Sequence, residues 1–353
     1  MIDNELKSKK IGYTPVDKNF STAGDKRRFV YYANQKGLNW EPCQLNKHYD
    51  ILYITTIANM SAWIKYKKSR PETILIFDIN NSFFFNTSFL WNLARGLSRF
   101  VSGRETKLYL NYNNVYHEMF DIADIVVCPT ESAKNYISQF NQNVYIPFDF
   151  FEEEITSKKT KYVNENPLIL VWEGMGVTAK HLLTIAPVLN KFRGKILLKI
   201  LTDRSYKHGP FEVDVPKLFR RLKCDYEFID WEKESFSRHI ADSDLAIIPL
   251  NKFDKVALHK PENKLILLWQ HGIPVMTTNT PAYVKAFSEI SEDLTCDNLR
   301  EWETKLELFF SGRFDSRKHM GSVNKYLQKY RSRSAFMAAW DEIFKKAFKI
   351  MKR

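Results

Sequence analysis

The apolar residues of this chain fall into short continuous runs that alternate with longer segments of mixed character. The runs at 50–55, 73–78 and 244–249 are rich in Ile and Leu, which is typical of buried strands. Further strands are predicted at 123–129, 168–172, 195–201, 226–229 and 273–278. Helices are predicted at 59–69, 87–101, 132–140, 178–191, 233–241 and 263–271. Strands that are apolar throughout and separated by helices indicate parallel sheets covered on both faces.

This alternation occurs twice, which predicts an α/β chain of two doubly wound, Rossmann-like domains with a cleft between them. We expect the domains at 1–150 and 167–330. The segment 151–166, FEEEITSKKTKYVNEN, is highly charged and has no apolar period, so it is predicted to be an interdomain linker. A length of 353 residues is too great for one typical core and fits two.

The C-terminal segment 331–353 is predicted to be a basic amphipathic helix, because large apolar residues recur every three or four positions. Residues 317–353 contain eleven basic and two acidic residues, a net +9 of the +12 carried by the whole chain. Two interpretations follow. The apolar face packs back on the N-terminal domain, which we favour, or it attaches to an anionic membrane surface.

The cysteines and the hydropathy of the chain indicate the cellular compartment that we expect for the protein. The four cysteines are widely spaced and form no C-x-x-C pair, so we expect no disulfide framework and a reducing environment. The first ten residues, MIDNELKSKK, are too polar for a signal peptide, and no run approaches about 18 apolar residues. We therefore expect a cytoplasmic protein that is at most peripheral on the inner face of the cell membrane.

The stretch 260–283, KPENKLILLWQHGIPVMTTNTPAY, places a polar cluster at the start of an apolar helix and joins the end of that helix directly to a strand. A helix N-terminus offers unpaired N–H groups and a partial positive charge to an anion. Lys260 and Lys264 add positive charge there, and Asn263 can cap the helix while presenting its amide to a ligand. The sequence therefore predicts an anion site at this helix.

The order of these motifs resembles the donor-binding domain of GT-B glycosyltransferases. There, a strand, a glycine loop and a helix precede a helix that reads N-K-L, apolar residues, and x-G-x-P-V. The segment IVVCPTESAKNYI (125–137) is similar to the end of their first domain, and TAGDKRRFVYYANQKGL (22–38) is similar to an early loop and helix of bacterial polysaccharide glycosyltransferases. The resemblance covers residues 11–348. It implies an acceptor-side domain at 1–150 and a nucleotide-sugar-binding domain at 167–330.

On this resemblance the donor diphosphate lies at the helix beginning near Asn263. The donor-binding residues are then predicted to be Gly174, Gly176, Lys180, Lys260, Glu262, Asn263 and Lys264. The two glycines would let the backbone approach the ligand closely, while Lys180 is equally explained as a surface lysine.

The chain departs from the large retaining family four of these enzymes. That family has two glutamates with seven residues between them around this helix, and the corresponding positions here are His259 and Leu267. Glu262 could substitute for one of them. The Arg–Lys pair expected after the first strand of the second domain is also incomplete, so retention or inversion of the anomeric configuration stays open.

An inverting reaction would need a catalytic base from the first domain, and the candidates are Asp78 and Asp25. Asp78 ends a predicted strand, where a carboxylate would face the cleft, although such a residue is often only a turn or cap. Arg27, Arg28 and His259 are predicted to contact the acceptor or a phosphate, or the two arginines simply flank a helix.

These patterns predict a metal-independent glycosyltransferase that moves a hexosyl or related sugar from a nucleotide-sugar donor to a glycan or lipid-linked acceptor in bacterial surface polysaccharide synthesis, such as capsule or lipopolysaccharide. We expect no cofactor, no metal and no nucleic acid. Two alternatives remain: an inactive GT-B-like assembly protein, because the glutamates are missing, and a basic nucleic-acid-binding protein, because of the net charge.

Overall fold

The structure of the protein is a computed structural model, which describes residues 2–17, 19–20, 22–151, 154–162, 166–209 and 211–352. The chain divides into two compact units. The first comprises residues 1–150 together with 331–353, and the second comprises residues 151–330.

A parallel sheet forms the centre of the first unit. Its strands are β1 (Ile11–Tyr13), β2 (Trp40–Pro42), β3 (Ile51–Thr55), β4 (Ile74–Asp78), β5 (Ile125–Val127) and β6 (Val144–Tyr145), in the spatial order β2-β1-β3-β4-β5-β6. Its helices include α1 (Ile2–Lys7), α2 (Ala23–Lys26), α3 (Phe29–Lys36), α4 (Met60–Ser69), α5 (Phe89–Val101), α6 (Asn113–Ile122) and α7 (Glu131–Ile137), with a 3-10 helix at Phe83–Phe85. Thr130 determines where α7 begins, because its side chain accepts the N–H of Ala133 at 3.2 Å.

Alternate residues of the central strands β3, β4 and β5 enter two separate cores. On β3, Leu52 and Ile54 belong to the core that also holds residues of α4 and α6, whereas Ile51 and Tyr53 belong to the core on the other face. All four side chains are fully buried. This arrangement explains why the strand is apolar at every position and identifies the unit as doubly wound.

The second unit contains a second parallel sheet. Its strands are β7 (Leu168–Glu173), β8 (Ile196–Thr202), β11 (Asp225–Asp230), β12 (Leu245–Ile248), β13 (Val275–Thr278) and β14 (Thr295–Cys296), in the order β11-β8-β7-β12-β13-β14, and β9 (Ser205–His208) and β10 (Phe211–Asp214) form an antiparallel hairpin. The helices are α8 (Ala186–Lys191), α9 (Phe236–Ala241), α10 (Lys255–Leu258), α11 (Asn263–Gln270), α12 (Pro281–Phe287), α13 (Leu299–Phe310) and α14 (Ser316–Tyr330), with 3-10 helices at Gly176–Ile185 and Pro216–Arg221. The predicted fold class of two doubly wound α/β domains is confirmed.

Two details of the second unit differ from the predictions. The helix predicted at 178–191 is a 3-10 helix up to Ile185 and only then α8. Pro187 lies in the first turn of α8, and since proline has no N–H it cannot continue a helix from the preceding turn. The segment expected to be a linker, 151–166, belongs to the second unit. There Phe151 is buried in the core and the N–H of Lys159 donates to the carbonyl of His271 at 2.8 Å.

The C-terminal helix, α15 (Arg333–Met351), completes a core of the first unit. Its apolar face is buried, including Phe336, Trp340 and Phe344. The Trp340 and Phe344 rings stack on Tyr32 with centroids 5.8 and 5.3 Å away. Of the two interpretations of this helix, the structure therefore uses its apolar face for packing on the first unit.

Candidate active site

The strand order of the second unit shows where a ligand would lie. From β7 the chain runs outwards through β8 to β11, and it then returns to β12 on the other side of β7. In open parallel sheets, ligands bind outside the carboxyl ends of the strands at such a point of reversal. The loops that follow β7 and β12 contain residues 174–175 and 249–254, so Gly174 lies on the appropriate edge, and Lys264 reaches the same edge through Glu173.

Lys264 connects the start of α11 to the end of β7. It lies in the first turn of α11, and its ammonium donates to the carbonyl oxygen of Glu173, the last residue of β7. The same Nζ is 3.8 Å from the Glu173 carboxylate and 5.2 Å from the centroid of the Trp172 ring. A Cβ atom at Gly174 would lie 2.5 Å from Nζ, so any larger residue there would displace the Lys264 ammonium from this position.

Positive charge accumulates at this edge. Burial lowers the pKa of Lys264 and outweighs the opposing effect of Glu173. Desolvation, followed by the charge of Lys264, lowers the pKa of Lys260. Two mutually repelling ammonium groups beside a helix N-terminus are an arrangement that a bound polyanion would stabilise.

The N-cap of α11 differs from the one expected. Glu262, rather than Asn263, occupies the N-cap position, and its side chain makes no capping hydrogen bond. Asn263 is the first helical residue, which corrects the expectation that it caps the helix. The first-turn N–H groups are therefore left uncapped by the Glu262 carboxylate.

Gly176 has a role different from the one predicted, and Lys180 is exposed in agreement with its alternative interpretation as a surface lysine. The N–H of Gly176 donates to the Asp203 carboxylate at 3.0 Å, and a Cβ atom there would lie 2.9 Å from Val215 Cγ2. This glycine therefore permits packing inside the unit rather than the approach of a ligand. Lys180 lies exposed on the 3-10 helix Gly176–Ile185.

A histidine that no sequence pattern singles out forms a hydrogen bond to the loop after β12. His181 is buried, and its Nδ1 accepts the N–H of Asn251 at 3.1 Å. Burial lowers the pKa of His181 to about 4, so the ring is neutral and carries its proton on Nε2, which is 3.8 Å from the Asp254 carboxylate. Asp254 in turn caps α10 by accepting the N–H of Ala257. His259, which follows α10, has a pKa lowered by burial.

A cavity of about 310 Å³ opens at the same edge, beyond the loop after β12. Its walls come from the carboxyl ends of β12, β13 and β14 and from the N-terminus of α13, and they include Asn251, Thr278, Asp297 and Trp302. Trp302 is almost fully buried, so the walls combine an aromatic surface with polar side chains. In the part of the chain that the structure describes, no group of three His, Cys, Asp or Glu side chains could hold a metal ion.

In the first unit, the structure corrects the expectation that Asp78 and Arg28 face a substrate. Asp78 is 2% exposed and receives two hydrogen bonds from the Arg28 guanidinium, at 2.9 and 2.8 Å, and a third from the Tyr53 hydroxyl at 2.7 Å. Arg28 also pairs with Asp149 at 2.8 Å. Burial would lower the pKa of Arg28, but the two carboxylates hold it above its ordinary value. Both residues serve the scaffold.

Asp25 has a similar structural role. It is fully buried and accepts hydrogen bonds from the Tyr13 hydroxyl at 2.6 Å, from the backbone N–H groups of Val16 and Asp17, and from the Thr22 hydroxyl. Burial and then the bond to Asp25 raise the pKa of Tyr13. A carboxylate so occupied cannot take a proton from a substrate, so this expectation is corrected too.

Other polar residues lie at the carboxyl edge of the first sheet. The Thr56 hydroxyl donates to Asn80 at 3.1 Å and accepts from Asn81 at 2.9 Å. Arg27, predicted to bind acceptor or phosphate, is half-buried, and its carbonyl accepts the N–H of Phe150. The two asparagines followed Asp78 in the sequence, but only the folded strand order brings them together with Thr56.

No protein-family model matches the chain, and no curated protein is similar to it. Solved structures are similar in fold. TarM of S. aureus is 13% identical with a TM-score of 0.58, and the match covers 83% of this chain and 54% of the TarM chain. WaaG, a glycosyltransferase involved in lipopolysaccharide biosynthesis, is 12% identical over 95% of this chain and 98% of its own, with a TM-score of 0.54. HepE of Anabaena, in complex with UDP-glucose, is 11% identical over 97% and 100%, with a TM-score of 0.60.

The chain thus spans about half the length of the TarM chain and nearly the full length of the other two. At these identities the agreement is one of fold, and it confirms the resemblance to the two-domain fold of GT-B glycosyltransferases.

Proposed function

We propose that this protein is a glycosyltransferase that takes a sugar from a nucleotide-sugar donor and transfers it to a glycan or lipid-linked acceptor in bacterial surface polysaccharide synthesis. The observation that carries this proposal is the position of Lys264. It lies in the first turn of α11, against the end of β7, at the point where the strand order reverses. The fold shared with WaaG and HepE supports the same reaction class.

The donor diphosphate would lie between Gly174 and the N-terminus of α11. Its negative charge grows as the bond to the sugar breaks, and fixed cations that face a developing charge stabilise the transition state. Lys260 and Lys264 are those cations in our proposal. Because Asp25 and Asp78 are bound within the scaffold, we assign no catalytic base to them, and the leaving diphosphate is the group that this chain stabilises. The reaction so proposed needs no metal.

UDP is the first nucleotide to test, because HepE was solved with UDP-glucose and TarM with UDP. We expect UDP to raise the melting temperature of the protein, whereas Lys264→Ala should lose that shift. A ligand present at one hundred times its Kd stabilises the folded state by about 2.7 kcal/mol. For a unit of the size of residues 151–330, each kcal/mol of stabilisation raises the melting temperature by roughly 2–4 °C.

Lys223→Ala is the matched control, because this exposed lysine precedes β11 and therefore lies at the amino end of the sheet, opposite the edge described above. GDP, CDP, CMP and dTDP should be screened in parallel, and EDTA should leave the shift unchanged. If no nucleotide stabilises the protein, or if Lys264→Ala responds like the wild type, the donor site is not at α11. Binding of a nucleotide-sugar without turnover would favour an inactive assembly protein.

A further inference from the structure

Helix α5 has the reverse polarity of an ordinary surface helix, because its polar side faces the protein and its apolar side faces solvent. Its inward side is polar: Asn92 is 2% exposed and donates to the carbonyls of Asn86 and Ser88, and Arg99 pairs with the buried Glu105 at 3.2 Å. Arg95 lies over surrounding aromatic rings and donates to the Tyr116 hydroxyl. These bonds fix the rotation of the helix about its axis.

The opposite side of α5 is apolar and faces solvent. Its large residues follow a helical spacing of three and four, and Phe89, Leu90 and Val101 are 65%, 75% and 82% exposed. The full apolar stripe consists of Phe89, Leu90, Leu93, Leu97, Phe100 and Val101. Single exposed apolar residues are ordinary, but a continuous helical stripe of them marks a surface that is covered by a partner.

A second segment widens this stripe. At Gly96 the helix contacts the backbone of Tyr109 so closely that any Cβ atom would overlap the Tyr109 carbonyl. This contact holds the segment 107–110 against α5. Leu108 and Leu110 are 40% and 61% exposed on that segment. We call the stripe together with these two leucines the α5 face.

The charges around the α5 face are positive. Of the four basic residues in 83–110, Arg95 and Arg99 lie on the inward side of α5, and the single acid, Glu105, is buried against Arg99. Arg104 and Lys107 are exposed on the loop between the two apolar segments. Lys107 forms a salt bridge with Glu118 at 2.9 Å. A helix with an apolar face and flanking cations is the structure that lies in the plane of an anionic bilayer.

We propose that the α5 face docks the first unit onto the surface of an anionic lipid bilayer. A second copy of the chain fits the face less well. Each copy carries a net charge of +12, so two copies repel each other, whereas an anionic bilayer attracts the chain. The C-terminal helix, which the sequence offered for this role, has its apolar face buried in the core. The proposal does not depend on the transferase reaction.

The test is co-sedimentation of the full chain, without donor, with vesicles of phosphatidylcholine alone or mixed with phosphatidylglycerol. We expect binding to the mixed vesicles that falls with added salt, and at least ~10-fold weaker binding for L90S/V101S, because both exposed side chains would lose apolar burial. Phe211→Ser removes a similarly exposed ring from β10 and should bind as the wild type does.

Two results would overturn the proposal. One is wild-type protein that stays in solution with both kinds of vesicle. The other is a concentration-dependent dimer, measured by light scattering, that L90S/V101S dissociates, since that would make the α5 face an interface between copies. Both readouts are independent of nucleotide binding, so failure here is distinct from failure of the glycosyltransferase proposal.

Discussion

Replacing Asp78 by asparagine tests whether this residue supports the fold or the chemistry. The substitution keeps the shape but removes the charge that pairs with Arg28, and it turns an amide N–H₂ towards guanidinium donors. Removal of one partner from a buried ion pair costs about 3–5 kcal/mol. Because Asp149 still pairs with Arg28 at 2.8 Å, we expect the lower end, about 3 kcal/mol. That is roughly a 150-fold increase in the equilibrium constant for opening.

The measurement is hydrogen–deuterium exchange of peptides from β3 and β4, because a chain of two units does not give one well-defined unfolding free energy. We expect these amides to exchange roughly 150-fold faster in Asp78→Asn under conditions of fast reclosing. Lys26→Ala, an exposed charge on α2, should leave them unchanged. Wild-type protection in Asp78→Asn together with abolished transfer of sugar would refute this reasoning and restore Asp78 as a catalytic base.

Two further predictions concern buried groups in each unit. His319 is fully buried, and burial lowers its pKa to about 4, so as the pH falls the unfolded state takes up a proton before the folded state does. The free energy of unfolding should therefore fall by about 2 kcal/mol between pH 7 and pH 5. His319→Phe should remove this part of the pH dependence, measured by hydrogen exchange of α14 peptides, and an unchanged pH dependence would contradict the prediction. Gly96→Ala should destabilise the first unit by about 1–3 kcal/mol through overlap with Tyr109, whereas Gly321→Ala, in an open helical position of α14, should stabilise the second by about 0.5–1 kcal/mol. Hydrogen exchange of peptides from α5 and α14 measures the two effects separately, and equal effects would show that the contact at Gly96 is not tight.

The strands were predictable because of how they are buried. A strand covered on both faces must be apolar at every position, and β3, β4 and β12 lie within one residue of the runs that predicted them. The start of α11 was predictable to the residue for a similar reason, since a polar cluster precedes an apolar run. The 3-10 turn before α8 was not, because helix type depends on hydrogen bonds that residue periodicity does not reveal.

The roles of charged side chains were less accessible to sequence reasoning. Asp78 follows a strand in the way that a catalytic carboxylate does, but its partner Arg28 lies fifty positions earlier. Helix α5 shows the same limit in another form. The period of its apolar residues predicts a helix at 87–101, yet periodicity does not say which side faces the protein. Only the partners of Asn92 and Arg99 reveal that the polar side does.

The position of α15 has a consequence for the order in which this protein is made. The ribosome completes the whole second unit before it reaches Arg333, so the second unit can already fold at that time. One core of the first unit, to which α15 contributes, is still incomplete. During that interval Phe29, Tyr32 and Tyr53 have no cover from Trp340 and Phe344. A nonsense mutation near the 3′ end of the coding sequence would therefore leave the amino-terminal half of the protein unfinished and exposed to proteases and chaperones.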